Sequence, residues 1–219
     1  MTDFPLPAAL LDKVRRDLRP VRPLAPPWRR ALLMAPLGVL LVVGQPLFWQ
    51  WRSNLAELGW PLSWGVSALQ AVVGLVLVGA ALREAVPGRH LPGGALLLAM
   101  GGTAALVLGV TLFTAHALPT RMPPGVAFRY WWECYGMAVL AGLPAIGVAA
   151  ALSARLLAGR PAVAGALYGL GAGLMSDAGG RLFCWVTEPS HVILAHGLAV
   201  LTFAALGAGV SAILERLKD

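Results

Sequence analysis

A chain of 219 residues with 58% hydrophobic residues, 12% charged residues and a mean hydropathy of +0.74 is too apolar for a water-soluble globular domain, so the solvent it is built for is a bilayer. Its formal charge of +7 would suggest nucleic acid in a soluble protein, but the placement of its lysines and arginines assigns that charge to membrane topology, and no direct nucleic-acid contact is expected.

The chain opens with a tail, residues 1–30, that precedes the first long apolar run. From Ala8 to Leu18 the spacing predicts a short amphipathic helix, with Leu10, Leu11, Val14 and Leu18 on one stripe and Asp12, Lys13, Arg15, Arg16 and Arg19 around it. Pro7 suits its first turn and Pro20 stops it. Residues 19–30, with Pro20, Pro23, Pro26 and Pro27, read as an extended linker leading to Trp28, Arg29 and Arg30 at the membrane surface. An eleven-residue helix is too short to be stable alone in water. It therefore needs a surface to fold on, either a groove in a cytoplasmic protein or the headgroup layer of membrane lipids. Asp12 and Asp17 count against the lipid surface. In the first case the binding stripe is Leu10, Leu11, Val14 and Leu18, with Arg15 and Arg19 at its rim.

Six apolar runs follow in residues 31–219: Ala31–Phe48, Pro61–Leu82, Leu91–Ala115, Trp131–Leu157, Ala162–Trp185 and His191–Ile213. About 20 helical residues cross the hydrocarbon layer, and these runs are continuous rather than alternating, which excludes a β-barrel. Thirty residues precede the first run and no small-residue cleavage site bounds it, so it is expected to be a mature helix rather than a signal peptide. Counted by alternate flanks, thirteen lysines and arginines fall on the side of the two termini and four (Arg52, Arg121, Arg129 and Arg181) on the other. The expectation is an all-α integral membrane protein with six transmembrane helices, both termini cytoplasmic, and a short amphipathic cytoplasmic helix at the amino end.

The two cysteines form a second constellation. Cys134 and Cys184 each lie 25 residues from Gly159, at the turn between runs four and five, so an antiparallel hairpin puts both at one height on the non-cytoplasmic side. A disulfide further requires Cα atoms within about 4.4–6.8 Å, closer than the about 8–10 Å between ordinary helix axes. Gly165, Gly169 and Gly173, a small-residue stripe on run five, would allow such an approach by a neighbour. Whether the two thiols face one another, bind metal or are inert is left open by spacing. Glu133, His191 and His196 lie near the same mouth and could complete a thiol-and-imidazole metal site, although no close ligand pair marks one and, five residues apart, the two histidines do not share an α-helical face. Asp177 and Arg181 form an intramembrane pair at i and i+4 with the acid first, the favourable order.

Enzyme signatures are missing: the sequence has no HExxH, no rhomboid-like GxSG, no CxxC and no phosphate-binding glycine loop. A transporter would show polar groups converging at mid-membrane, and runs one to three are almost free of them. Haem between His90, His116, His191 and His196 stays open on residue type, although His90 and His116 fall on opposite sides of the membrane, and no cofactor is expected. A small redox or metal-responsive membrane protein working through Cys134 and Cys184 is the alternative to a tail-driven binding function.

The stretch DLRPVRPLAPPWRRALL, Asp17 to Leu33, resembles the start of the NrsF-type membrane anti-sigma factors, and RLFCWVTEPSHVILAHG, Arg181 to Gly197, is similar to that family's segment between helices five and six. Cys134 matches the family's other cysteine, whereas Ala195 stands before His196 where the family usually has tryptophan. The resemblance implies a six-helix inner-membrane protein that holds an extracytoplasmic-function sigma factor inactive and releases it on a stress signal, with Cys134, Cys184 and His196 as the sensing residues. A membrane signalling partner or protease would take part in release. One member of the family keeps carotenoid genes silent until light and singlet oxygen lift the block, which adds light to the candidate signals.

Overall fold

The computed structural model describes residues 7–17, 25–119, 125–154, 156 and 158–218. Seven helices account for the regular structure of these residues: α1 (Ala8–Asp17), α2 (Pro27–Phe48), α3 (Leu55–Glu84), α4 (Gly93–Ala117), α5 (Val126–Ser153), α6 (Pro161–Phe183) and α7 (Pro189–Arg216). α1 ends at Asp17, and the expected stripe residue Leu18 and rim residue Arg19 lie outside the described residues.

Five helices are long and apolar enough to cross a membrane: α2, α3, α4, α7, and α5 from Arg129 onward. The fifth expected run, α6, has the length, with 23 residues, but not the apolarity. The reason lies in its position. α6 is packed against α2, α3, α5 and α7, and apart from Ala166 and Arg181 every residue from Ala164 to Phe183 is buried. A helix whose neighbours are protein has no lipid face to grease, and it is free to carry glycines, Asp177 and Arg181.

Those glycines set the inter-helix distance. A Cβ on Gly169 would lie 2.1 Å from the Phe203 carbonyl oxygen of α7, and one on Gly165 would lie 2.2 Å from the Gly207 carbonyl oxygen. The expected small-residue stripe thus has α7 as its partner. Next to it the Tyr168 hydroxyl donates to the Gly207 carbonyl at 2.9 Å. Gly169→Val is therefore expected to lower the thermal unfolding midpoint of the detergent-solubilised protein by several degrees, an overpacking cost of about 1–3 kcal/mol. Gly101→Ala on α4, where nothing lies within 4 Å, is the control and should not lower the midpoint.

Element ends follow local chemistry. α3 begins at Leu55, a turn and a half before the expected Pro61, with Gly59 at φ +73° marking the break and a π-turn over Pro61–Gly65. α5 starts at Val126 behind Gly125, whose φ of +90° is a left-handed cap, and stops at Ser153 rather than Leu157. At the end carrying the α3–α4 and α5–α6 connections, buried Glu84 accepts from Arg160 Nε at 2.6 Å and from the Leu91 amide at 2.6 Å, with His90 Nδ1 at 3.2 Å. This carboxylate ties two connections into one rim. At the opposite end lie all the tryptophans except Trp28, the interfacial composition expected where helices meet headgroups.

Candidate functional site at the cysteine end of the bundle

The site is assembled where α2, α4 and α6 end and α3, α5 and α7 begin. Its base is Asp177, one of the least exposed residues of α6. The carboxylate receives Arg181 Nε at 2.9 Å and Gln70 Nε2 of α3 at 2.5 Å on one oxygen, and His196 Nδ1 of α7 lies 2.8 Å from the other. The i, i+4 pair expected from sequence is present, but it also joins three helices. Arg181 extends the network by donating from Nη2 to the Thr111 hydroxyl of α4 at 3.3 Å.

Arg52, between α2 and α3, was expected only as one of the four basic residues of the outer flank. It is instead 5% exposed. Its amide donates to the Leu182 carbonyl at 3.0 Å, Nη1 to the Arg181 carbonyl at 3.1 Å and Nε to Asn54 Oδ1 at 2.7 Å. Nη2 has no hydrogen-bond partner among the described residues. Burial draws this guanidinium below its ordinary pKa, with Cys184 opposing that effect and Arg181 adding to it.

The cysteines do face one another. Cys134, in the second turn of α5 beyond Arg129, and Cys184, the first residue after α6, are both free and buried, with their sulfurs 3.7 Å apart. Cys184 Sγ also lies 3.3 Å from His191 Nε2, and the donor atoms of Cys134, Cys184 and His191 all fall within 4.8 Å of one another. His191, placed by the sequence only near the same mouth, thus joins the pair directly. The expectation that His191 and His196 lie on different faces is corrected by the π-turn at Ile193–Gly197: i to i+5 periodicity brings their ring centroids to 6.2 Å.

The remaining expected residues sort themselves plainly. Glu133 is exposed, outside the cluster. Glu188 caps α7, accepting from the His191 amide at 2.9 Å and from the Ser190 hydroxyl, while Thr187 donates to the Leu118 carbonyl at 2.5 Å, so this turn is spent on structure. In α1, Leu10, Leu11 and Arg15 are exposed, and the Val14 side chain is not among those described.

A protein-family model described as negative regulator of sigma F, NrsF, matches residues 15–216. The chain belongs to the NrsF family. Membership makes the regulated partner a sigma factor and the role that of its negative regulator. No curated protein and no solved structure matches the chain. Within the NrsF family match lie the whole cysteine cluster and the last three residues of α1, Arg15 to Asp17.

Proposed function

We propose that the protein is a membrane-bound anti-sigma factor: α1 sequesters an extracytoplasmic-function sigma factor at the cytoplasmic face of the inner membrane, and oxidation of the buried thiol pair releases it. In this reading α6 crosses with the five apolar helices, giving six spans and two cytoplasmic termini, which the thirteen-to-four division of basic residues favours. The observation that carries it is the pair itself. Two free cysteines fifty residues apart in sequence lie at 3.7 Å beside an imidazole, in a chain whose family is described by negative regulation of a sigma factor. Closing to a disulfide of about 2.05 Å needs less than 2 Å of sulfur movement. That movement would pull the start of α5 against the end of α6. The stimulus suited to such a pair is oxidative, whether it begins with light or with a chemical stress.

The test is co-purification of the tagged chain from gently solubilised bacterial membranes. A sigma factor should accompany wild type, leave on treatment with diamide, and stay bound to the Cys134→Ser/Cys184→Ser variant under the same treatment. If no sigma factor accompanies wild type, the anti-sigma reading fails. Diamide release from the double serine variant would remove the pair as sensor.

A second reading rests on the three-ligand geometry. Tetrahedral Zn2+ with Zn–S near 2.3 Å holds its sulfurs about 3.8 Å apart, close to the spacing between Cys134 and Cys184, and His191 offers a nitrogen. Release of the sigma factor by Zn2+ in reducing buffer, lost with His191→Ala, would favour metal capture over oxidation.

A further inference from the structure

Next to Cys184 lies a cavity of about 20 Å³ that neither the thiol pair nor the Asp177 network uses up. Arg52, Arg181, Thr111, Thr114, His196 and Cys184 line it. One water occupies about 10–15 Å³ on this kind of measure, so the space takes one or two oxygen atoms and nothing larger. Its wall carries two guanidiniums and several further polar groups, with Val186 and Val192 as its apolar part. Arg52, 5% exposed, is part of this wall, and its Nη2 has no hydrogen-bond partner among the described residues. A buried guanidinium with an unspent donor is costly unless something accepts from it.

We infer that this cavity is a peroxide chamber, in which hydrogen peroxide binds between Arg52, Arg181 and the Cys184 sulfur and oxidises Cys184. This rests on the thiol-pair reading above and adds the oxidant and the residues that admit it. Size selects the ligand: a two-oxygen hydroperoxide fits, whereas an alkyl hydroperoxide brings carbon atoms that the cavity has no volume to hold.

The chemistry closes in two steps. Cys184 loses its thiol proton to His191 Nε2, 3.3 Å away, and the thiolate attacks one peroxide oxygen. The S–O bond forms as the O–O bond breaks, and the leaving hydroxide, stabilised by Arg52, takes a proton from solvent and departs as water while His191 returns its proton to solvent. The sulfur is oxidised to sulfenic acid and the peroxide is reduced by two electrons. Cys134, 3.7 Å away, then attacks that sulfur: the S–S bond forms, the S–O bond breaks, and the Cys134 proton leaves with the hydroxyl as a second water. Arg52 is a binding residue in this scheme, and Cys134 the resolving thiol.

The experiment uses the purified full-length protein, reduced and in detergent, with disulfide formation followed by thiol titration and mass spectrometry. Hydrogen peroxide should close the pair much faster than tert-butyl hydroperoxide at equal concentration. Arg52→Met should slow hydrogen peroxide about a hundredfold and so narrow the selectivity between the two peroxides, and Arg52→Lys should do so less. The wild-type selectivity between the two peroxides needs no variant and stands even if Arg52→Met does not fold. Equal rates with the two peroxides, or a hydrogen peroxide rate no faster than that of glutathione, would overturn the chamber. If diamide still closes the pair and releases the sigma factor in that case, the thiol-pair reading survives without it. If no oxidant joins Cys134 to Cys184, both fall together.

Discussion

Replacing Leu11 and Val14 together with aspartate should abolish sigma-factor capture while leaving the amount of protein in the membrane unchanged. Leu10 and Leu11 are 45% and 40% exposed, and every described side chain of α1 is exposed, so the helix borrows no stability from the bundle. Docking the stripe into a groove would bury side chains worth about 1.5–3 kcal/mol each. Placing two carboxylates there removes that gain and strands charge in an apolar groove. A loss of about 4 kcal/mol corresponds to roughly three decades in affinity, enough to empty the complex at cellular concentrations. Deleting residues 1–27 should do the same. Capture that survives both changes would place the binding element elsewhere and leave α1 as a lipid-surface helix. The measurement is co-purification of the sigma factor together with a transcriptional reporter, which should switch on without any stimulus.

Much of the architecture is legible in the sequence because a lipid solvent imposes one strong rule, that backbone polar groups pair within each span. Length and apolarity therefore mark α2, α3, α4, α5 and α7 directly. α6 satisfies length alone, since a helix enclosed by protein is released from the need for apolarity, and its glycine stripe is the better sign of what it does. In the site, Asp177 and Arg181 are readable because i, i+4 is local. Gln70, Thr111 and His196 reach the same carboxylate network from three other helices, and no local pattern announces such partners. The two cysteines were readable in height but not in facing. The contact of His191 with the thiols was missed for a specific reason, since an α-helical wheel puts it off the face of His196, and the π-turn at Ile193–Gly197 rotates it back. Arg52 was missed for another: a basic residue in a connection counts as topology until it is found 5% exposed beneath the chain.

Asp177→Ala should be among the most damaging single substitutions in the bundle. The change removes one carboxylate but strands the Arg181 guanidinium, the His196 ring and the Gln70 amide together, in a place where water does not replace the lost acceptor. Neutral hydrogen bonds between membrane helices are weak, about 0.6 kcal/mol on average, because the separated helices find other partners. A buried charge deprived of its counterion has no such substitute, and breaking a buried pair costs about 3–5 kcal/mol. For a chain of this length that is a fall of about 10 °C in the thermal midpoint of the solubilised protein. Asp177→Asn keeps the volume and one acceptor oxygen, so it should lie between Ala and wild type, with the residual loss reporting the charge alone. The order of the three midpoints is the result that matters: Ala and Asn melting together would assign the whole effect to charge, and both melting with wild type would show that Arg181 finds another anchor. The same network also fixes the site above it. Arg181 holds Arg52 through its carbonyl oxygen, and His196 shares the cavity wall with Cys184, so a bundle loosened at Asp177 should also lose any rate advantage that hydrogen peroxide has at the thiol pair.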